Sequence, residues 1–511
     1  MTTLHDSYWQ AVEAIERDCR VTEWRTGDLD LWPLARQDLF LDLFRGRGGD
    51  TAPPPPPFAV RAASSLGTPL TNLWKSRHDL AHWLPRPRRA DAVLLGDGVS
   101  LDRIGGAWRD RYGEPIVAAL ERRGRSCLMM QPGTLSRLPW ARPTFAVNTV
   151  AARAALAAAL APGPAPHLPD HRSALDTLAR AGIAAPSLSV ARLARRARVA
   201  AAQAAAFDRI LDRVRPTLAF VVTHYAGLGH AFALACRRRG VLCIDVQHCP
   251  QDEAHRGYRW PTLPAAGYTT LPGLFWTWSA AEAARIDGWA GTLDRPWHRA
   301  IHGGHSQIAG YNDAPDRTAW DAAFDAAAGA TPASREILVA LQPIGGRLAD
   351  WQALAAAIAS APPDWRWWIR RHPAAAAAQD GDHACLLALR GAAIVIEPAA
   401  RLPLPVLMRR MSALVSLASG TAGEAAAFGV PAFFLSDEAR GPFAGLIASG
   451  AAAVVDAASL IDAITRLPAA SLRTPVRPPP LDGTLDAIER IAADYAGLCA
   501  AQPAPARRRP A

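Results

Sequence analysis

No apolar run in this 511-residue chain approaches the ~18–20 residues that cross a bilayer as a helix. The nearest, Ala151 to Ala161, is mostly alanine, contains Arg153 and runs into Pro162. The opening Met1-Thr-Thr-Leu-His-Asp-Ser-Tyr-Trp9 has no basic stretch followed by an apolar one, so no secretory leader is read and a cytoplasmic location is expected. Cysteine is sparse: seven residues at irregular spacing, with no CxxC pair, argue against a zinc ribbon and a disulfide framework. Buried thiols in a reducing compartment are expected. Gly96-Asp97-Gly98-Val-Ser100-Leu-Asp102 is not GxGxxG, so no dinucleotide fingerprint is read there.

What is present describes a large globular chain. A 50% hydrophobic, 20% charged composition is that of folded domains, and 511 residues exceed one core, so two or three domains are expected. The net charge of +10 is mostly arginine, clustered at Arg86 to Arg89, Arg192 to Arg198 and Arg507 to Arg509. No recognition motif accompanies these clusters, so nucleic acid is not an expected partner. Solvated helix faces account for them most simply, while an anionic membrane surface or a phosphorylated substrate would suit them as well.

Residues 1–52 read as a helical extension broken by the turn Asp28-Leu-Asp-Leu-Trp32-Pro33. Pro53 to Pro57 is a stiff spacer opening a Pro-rich linker over 53–90. From Asp91 short apolar runs alternate with helical stretches, the pattern of a parallel α/β sheet. Strands are expected at 90–96, 126–131, 218–224, 241–248 and 274–278, with helices at 115–123 and over much of 172–213. A second series spans 334–470, with strands at 336–342, 365–369, 393–396, 413–417, 431–435 and 452–455. A helix over 481–500 should cross back over the first unit, ahead of a disordered tail at 501–511. Two such units, 91–310 and 334–470, predict twin Rossmann-like domains facing a central cleft.

The strongest chemical signal is Ser416-Leu-Ala-Ser419-Gly420-Thr421-Ala-Gly-Glu424, running from a buried strand through a small-residue turn into a helix. Small residues there let backbone N–H groups approach an anion at the positive helix end, and Glu424 could accept from a ribose. Plainer readings are capping by Ser419 or Thr421 and a dipole-favoured Glu424. Arg370-Arg371-His372-Pro373 also ends a strand, where ligands bind in open α/β sheets. Asp245-Val-Gln247-His248 ends another, followed by Glu253, His255 and Tyr258, too polar a run for packing and therefore read as substrate contact. His248, Asp252 and His255 lack a metal-ligand spacing, so no metal is expected. Together these segments suggest a nucleotide-sugar site, and the base that sugar transfer would need could be Asp97, Asp102, Asp110, Glu114, Glu253 or His255, with Asp102, Glu114 and His255 carried forward. Trp276, Trp278, Trp365, Trp367 and Trp368 read as core residues of strands.

The run Asp245-Val-Gln247-His248, His255, Tyr258-Arg-Trp260, Gly267-Tyr268, Leu271-Pro272 and Phe275-Trp-Thr-Trp278 resembles a pattern of bacterial capsule and surface-polysaccharide biosynthesis proteins. Asp28 to Arg36 and Tyr112-Gly-Glu-Pro115-Ile116 are similar to further segments of that group. His372-Pro373 and Ser416–Thr421 resemble motifs of GT-B transferases that use CMP-activated acidic sugars. Cys249-Pro250 stands where the pattern has Gly, which alters the acceptor-side loop.

The resemblance implies an α/β GT-B fold and a glycosyltransferase using a nucleotide-sugar donor and a glycan or lipid-linked glycan acceptor at the inner membrane face. It places nucleotide-sugar contacts at His372, Pro373, Ser416, Ser419, Gly420, Thr421 and Glu424. Acceptor contacts would fall at Asp245, Gln247, His248 and Tyr258. No cofactor or metal is implied, because helix N-termini and His372 can neutralise the leaving phosphate. A CDP-polyol phosphotransferase of similar fold and an inactive GT-B scaffold are the alternatives.

Overall fold

The computed structural model describes residues 4–47, 89–104, 106–132, 139–160, 163–251, 255–312, 317–342, 348–372, 383–391, 393–468 and 478–501. The Pro53–Pro57 spacer, Asp252, Glu253, Pro373 and the tail from 502 lie outside them.

Strands of four or five residues such as Ala92–Leu95 and Leu218–Val222 are apolar along their whole length and buried throughout. That pattern suits a parallel sheet covered on both faces. These two pair side by side in a seven-stranded sheet whose pairings are all parallel. Counting its strands in chain order, the sheet runs 3-2-1-4-5-6-7, from Thr144–Ala146 at one edge to Arg299–His302 at the other. The second sheet, six parallel strands between Arg335–Ala340 and Ala452–Val454, runs 3-2-1-4-5-6. Both are the doubly wound Rossmann order, with the strand sequence reversing between strands one and four. The fold is therefore α/β with two Rossmann-like domains, the GT-B arrangement.

Side chains alternate between the faces of each sheet. In the first, Val93 and Leu95 join a core with Ala219, Val221, Phe207 and Phe232. Leu94, Phe220, Ile244 and Trp276 face the opposite way, onto Leu485, Ile488 and Tyr495. Those last residues belong to the Leu481–Ala500 helix, which crosses back over the first domain. The long helix Val190–Val214 buries Leu193, Ala197, Ala200, Ala204, Phe207, Leu211 and Val214, a stripe at three- and four-residue spacing. It stops at Arg215, with φ +53°, directly before Pro216.

The N-terminal helices Leu4–Asp18 and Trp32–Arg47 share a hydrophobic core with this domain and close around one buried arginine. Arg36 is 1% exposed and lies 3.4 Å from Glu16. It stacks 4.0 Å over the Trp260 ring and donates to the Arg259 carbonyl at 2.9 Å. Asp30 accepts from the Thr269 amide at 2.7 Å. The 28–36 and 256–269 segments, far apart in sequence, are therefore one structural unit.

Three sequence expectations need correction. The span 172–213 is two helices, His171–Arg180 and Val190–Val214, because Pro186 interrupts it. The loop expected after Gly96 contains a hairpin, Leu101–Ile104 with Ala107–Asp110, which puts Asp102 and Asp110 on strands. Thr144–Ala146 and Arg299–His302 are further strands, each too short to stand out as an apolar run.

Candidate functional site

The run from Ser416 lies at the switch point of the second sheet, where ligands bind in this topology. Gln342, just past strand one, both donates to and accepts from the Ala418 backbone at 2.8 Å, tying that strand end to strand four. Ser416 Oγ accepts from the Ser419 amide at 3.2 Å, and Ser419 Oγ lies 3.0 Å from Thr421 Oγ1 and accepts from the Thr421 amide at 3.3 Å. Gly420, a residue with no side chain, occupies the cap position of the helix Thr421–Ala427. A Cβ on Gly420 would stand 3.5 Å from Pro250, and one on Gly423 would stand 3.0 Å from the Trp278 ring. These small residues bring the turn against the first domain.

Glu424 is buried and points across that boundary. Its Oε1 lies 3.4 Å from the Tyr112 hydroxyl and 3.9 Å from His305 Nε2. His305 stacks on Trp278 with ring centroids 4.2 Å apart.

Strand two, Trp365–Arg370, on the other side of strand one, delivers Arg370, Arg371 and His372 to the same end of the sheet. Arg370 is buried and donates at 2.6 Å to the carbonyls of Ala399 and Leu402. Burial lowers its pKa to about 10. His372 is pushed down to about 4, first by burial and then by the positive charges of Arg111 and Arg370. Arg371 pairs with Glu397 at 2.8 Å. Facing them is the first-domain hairpin, and between the two lies a cleft of about 590 Å³ lined by Asp102, Arg103, Trp108, Arg370, His372 and Arg401 among others. Its excess of guanidinium groups suits an anion.

The three candidate bases separate. Asp102 is at the cleft, bonded to Arg111 at 2.8 Å and to Gln307 at 3.2 Å. Burial alone would raise its pKa, but Arg111 outweighs this and holds the carboxyl below its usual range. Glu114 accepts from Arg142 at 2.6 Å and lines an adjacent cavity of about 280 Å³ that also touches Asp102 and Asp110. His255 lies elsewhere, with its Nε2 3.6 Å from Cys249 Sγ and its ring against Tyr225 and Tyr258. Asp110, which sequence reasoning did not carry forward, accepts from the Tyr112 and Gly113 amides and from Gln131. Burial, with the nearby Asp97 charge, raises its pKa to about 7.

The residues expected on the acceptor side gather near the switch point of the first sheet. His248 Nε2 is 2.9 Å from the Tyr225 hydroxyl and 3.1 Å from Thr223 Oγ1. Thr223 is held at φ +66°, a costly conformation for a β-branched residue, of the sort that clusters at functional sites. Asp245 is fully buried, with His224 Nδ1 at 2.9 Å and the Tyr258 hydroxyl donating to it at 2.9 Å. Gln247 donates to Glu282 at 2.7 Å and to the Cys249 carbonyl at 2.9 Å. Among the described residues no group of three His, Cys, Asp or Glu side chains could hold a metal ion.

His305 and Trp278, which lie against Glu424 and Gly423, were not among the sequence candidates, Trp278 because a strand-end tryptophan reads as core. His305 follows Gly303-Gly304 after the short edge strand Arg299–His302 and directly precedes the helix Ser306–Asn312, the same strand, small-residue turn and helix order as Ser416–Glu424.

No helix among the described residues is long and apolar enough to cross a membrane. No protein-family model matches the chain, and no curated protein matches it. Among solved structures it is similar to UDP-GlcNAc 2-epimerase from Neisseria meningitidis bound to UDP-GlcNAc, at 15% identity over 81% of this chain and 95% of that one, with a TM-score of 0.43. The Methanocaldococcus jannaschii UDP-GlcNAc 2-epimerase gives 12% identity over 79% and 99%, with a TM-score of 0.47. The calicheamicin glycosyltransferase CalG4 gives 14% identity over 80% and 95%, with a TM-score of 0.38.

Proposed function

We propose that the chain is a glycosyltransferase that moves a sugar from a nucleotide-sugar to a glycan or lipid-linked glycan acceptor. The observation that carries this reading is that the switch-point turn of the second domain meets the first domain near an arginine-lined cleft between the two. The second-domain turn Ser416–Glu424 faces Tyr112 and His305 of the first domain, and Arg370, which lines the cleft with His372, acts on Glu424 through space. In this reading His372 takes the donor phosphate, the Ser419–Thr421 turn takes the phosphate or base, and Glu424 takes the ribose.

Transfer releases a nucleotide whose phosphate gains charge as the glycosidic bond breaks. Arg103, Arg370 and Arg401 around the cleft supply positive charge where it develops, and fixed donors there act without reorganisation. His372, neutral before binding, can gain a proton beside that phosphate. The acceptor enters from the first domain, past His248 and Tyr258, with Asp245 and Gln247 setting their positions. Asp102, Glu114 and His255 are the candidates for taking the acceptor proton. A role in bacterial surface-polysaccharide synthesis, with a CMP-linked donor, follows from the sequence resemblance alone.

A thermal-shift series with CMP, CDP, UDP, GDP and dTDP tests the reading on the wild type, His372→Ala and Glu424→Ala. Ligand at a hundredfold excess over Kd stabilises by about 2.7 kcal/mol. One nucleotide should shift the wild type and lose its effect in both variants. Absence of any shift at millimolar concentration would leave a scaffold without nucleotide chemistry.

A further inference from the structure

Three buried polar atoms meet at the domain boundary without a hydrogen-bond partner: Glu424 Oε2 and both ring nitrogens of His305. Glu424 is 5% exposed and His305 4%. At 3.9 Å, His305 Nε2 and Glu424 Oε1 are too far apart to bond each other. The Tyr112 hydroxyl has one proton and two acceptors, the His248 carbonyl at 3.0 Å and Glu424 Oε1 at 3.4 Å. The shorter contact takes most of that proton, so Glu424 keeps a weak share. A carboxylate has about four acceptor positions. Arg111 and Arg370 act on this one through space. Buried polar groups are ordinarily paired, and so many free positions at one spot mark where another molecule completes the pairing.

We infer that His305 and Glu424 form one hydroxyl-binding subsite, one residue from each domain, for the ribose diol of a ribonucleotide. The chemistry selects a diol. A carboxylate accepts from hydroxyls and repels phosphate, while the imidazole ring nitrogens of a histidine can meet a hydroxyl as hydrogen-bond partners. Trp278 stacks on the imidazole and fixes its plane. Gly423, with no Cβ to strike that indole, lets the helix carrying Glu424 come close enough. The diol replaces Tyr112 on Glu424, so the nucleotide bridges the domains when it binds. This rests on the nucleotide-sugar reading above and extends the donor site to a first-domain histidine.

Calorimetric titration of the full chain with CMP, CDP, UDP and GDP first finds the ribonucleotide that binds. That ligand and its 2′-deoxy form are then titrated into the wild type, His305→Ala, His305→Asn and Tyr112→Phe. The wild type should prefer the ribo form by about tenfold, the worth of one hydrogen bond to a charged group. His305→Ala should lose about tenfold for the ribo form and little for the deoxy form, with His305→Asn between. Tyr112→Phe should bind as tightly or more so. Equal affinity for ribo and deoxy forms, or both His305 variants within twofold of wild type, overturns the subsite while the nucleotide reading stands. No binding of the four ribonucleotides to the wild type overturns the subsite, and no binding of dTDP either overturns both. Should His305→Ala fail to fold, His305→Asn carries the comparison.

Discussion

Asp102 of the first domain lies 3.8 Å from the guanidinium of Arg370 in the second, while bonding Arg111 of its own domain at 2.8 Å. One buried carboxylate thus offsets two buried cations and joins the domains beside the cleft. A carboxylate in that position is an electrostatic anchor first, and its low pKa leaves it ionised at neutral pH.

Replacing Asp102 by Asn should cost about 3 kcal/mol in urea unfolding at pH 7, because two buried guanidinium groups lose their counter-charge. The folded pKa lies below the ordinary value, so the stabilisation is present above about pH 4 and is lost as pH falls through the folded pKa. Equal midpoints for wild type and variant at pH 7 would remove Asp102 from this role.

Asp110, on the paired strand of the same hairpin, titrates in the opposite sense. Its folded pKa of about 7 stands above the ordinary 3.8, so the folded chain keeps a proton that the unfolded chain has lost. Its contribution is full below about pH 4 and declines as pH rises to about 7, by at most ~4 kcal/mol. Urea midpoints measured from pH 4 to 8 should show this decline in the wild type and a flatter profile in Asp110→Asn. Two carboxyl groups with pKa values pushed apart are also the arrangement that separates acid from base roles.

His372 should take up a proton when nucleotide binds. Its pKa of about 4 leaves it neutral in the free protein, and an arriving phosphate dianion raises that value. Affinity should therefore strengthen as pH drops from 7 towards 5. Calorimetry at pH 6 in two buffers of different ionisation enthalpy reads the uptake directly. His372→Asn should abolish it, and zero uptake by the wild type would place the phosphate away from His372.

Gly229 should tolerate no side chain. A Cβ there would lie 2.2 Å from the His224 carbonyl oxygen, a backbone atom with little room to retreat beside the strained Thr223. Gly229→Ala should lower stability by ~3 kcal/mol or more, beyond the usual range for overpacking by a methylene. A change in urea midpoint worth under ~1 kcal/mol would show that the Thr223–Gly229 turn can relax.

The sequence by itself determined the two α/β units, the crossover helix 481–500 and the chemical character of the Ser416–Glu424 and Arg370–His372 segments. Those features are local: apolar runs of strand length, helical spacing, and polar or small residues directly after a strand. Part of the resemblance also resolved into architecture, since Asp30 and Arg36 hold the 256–269 segment rather than meeting the cleft. Strand order, and with it the company each strand end keeps, was decided by tertiary structure. Tyr112 reaches Glu424 across 312 positions of sequence, and His305 meets it from the end of a short edge strand. No periodicity encodes such a meeting, because it depends on how two sheets twist, stack their helices and dock, and those are sums of packing over the whole chain.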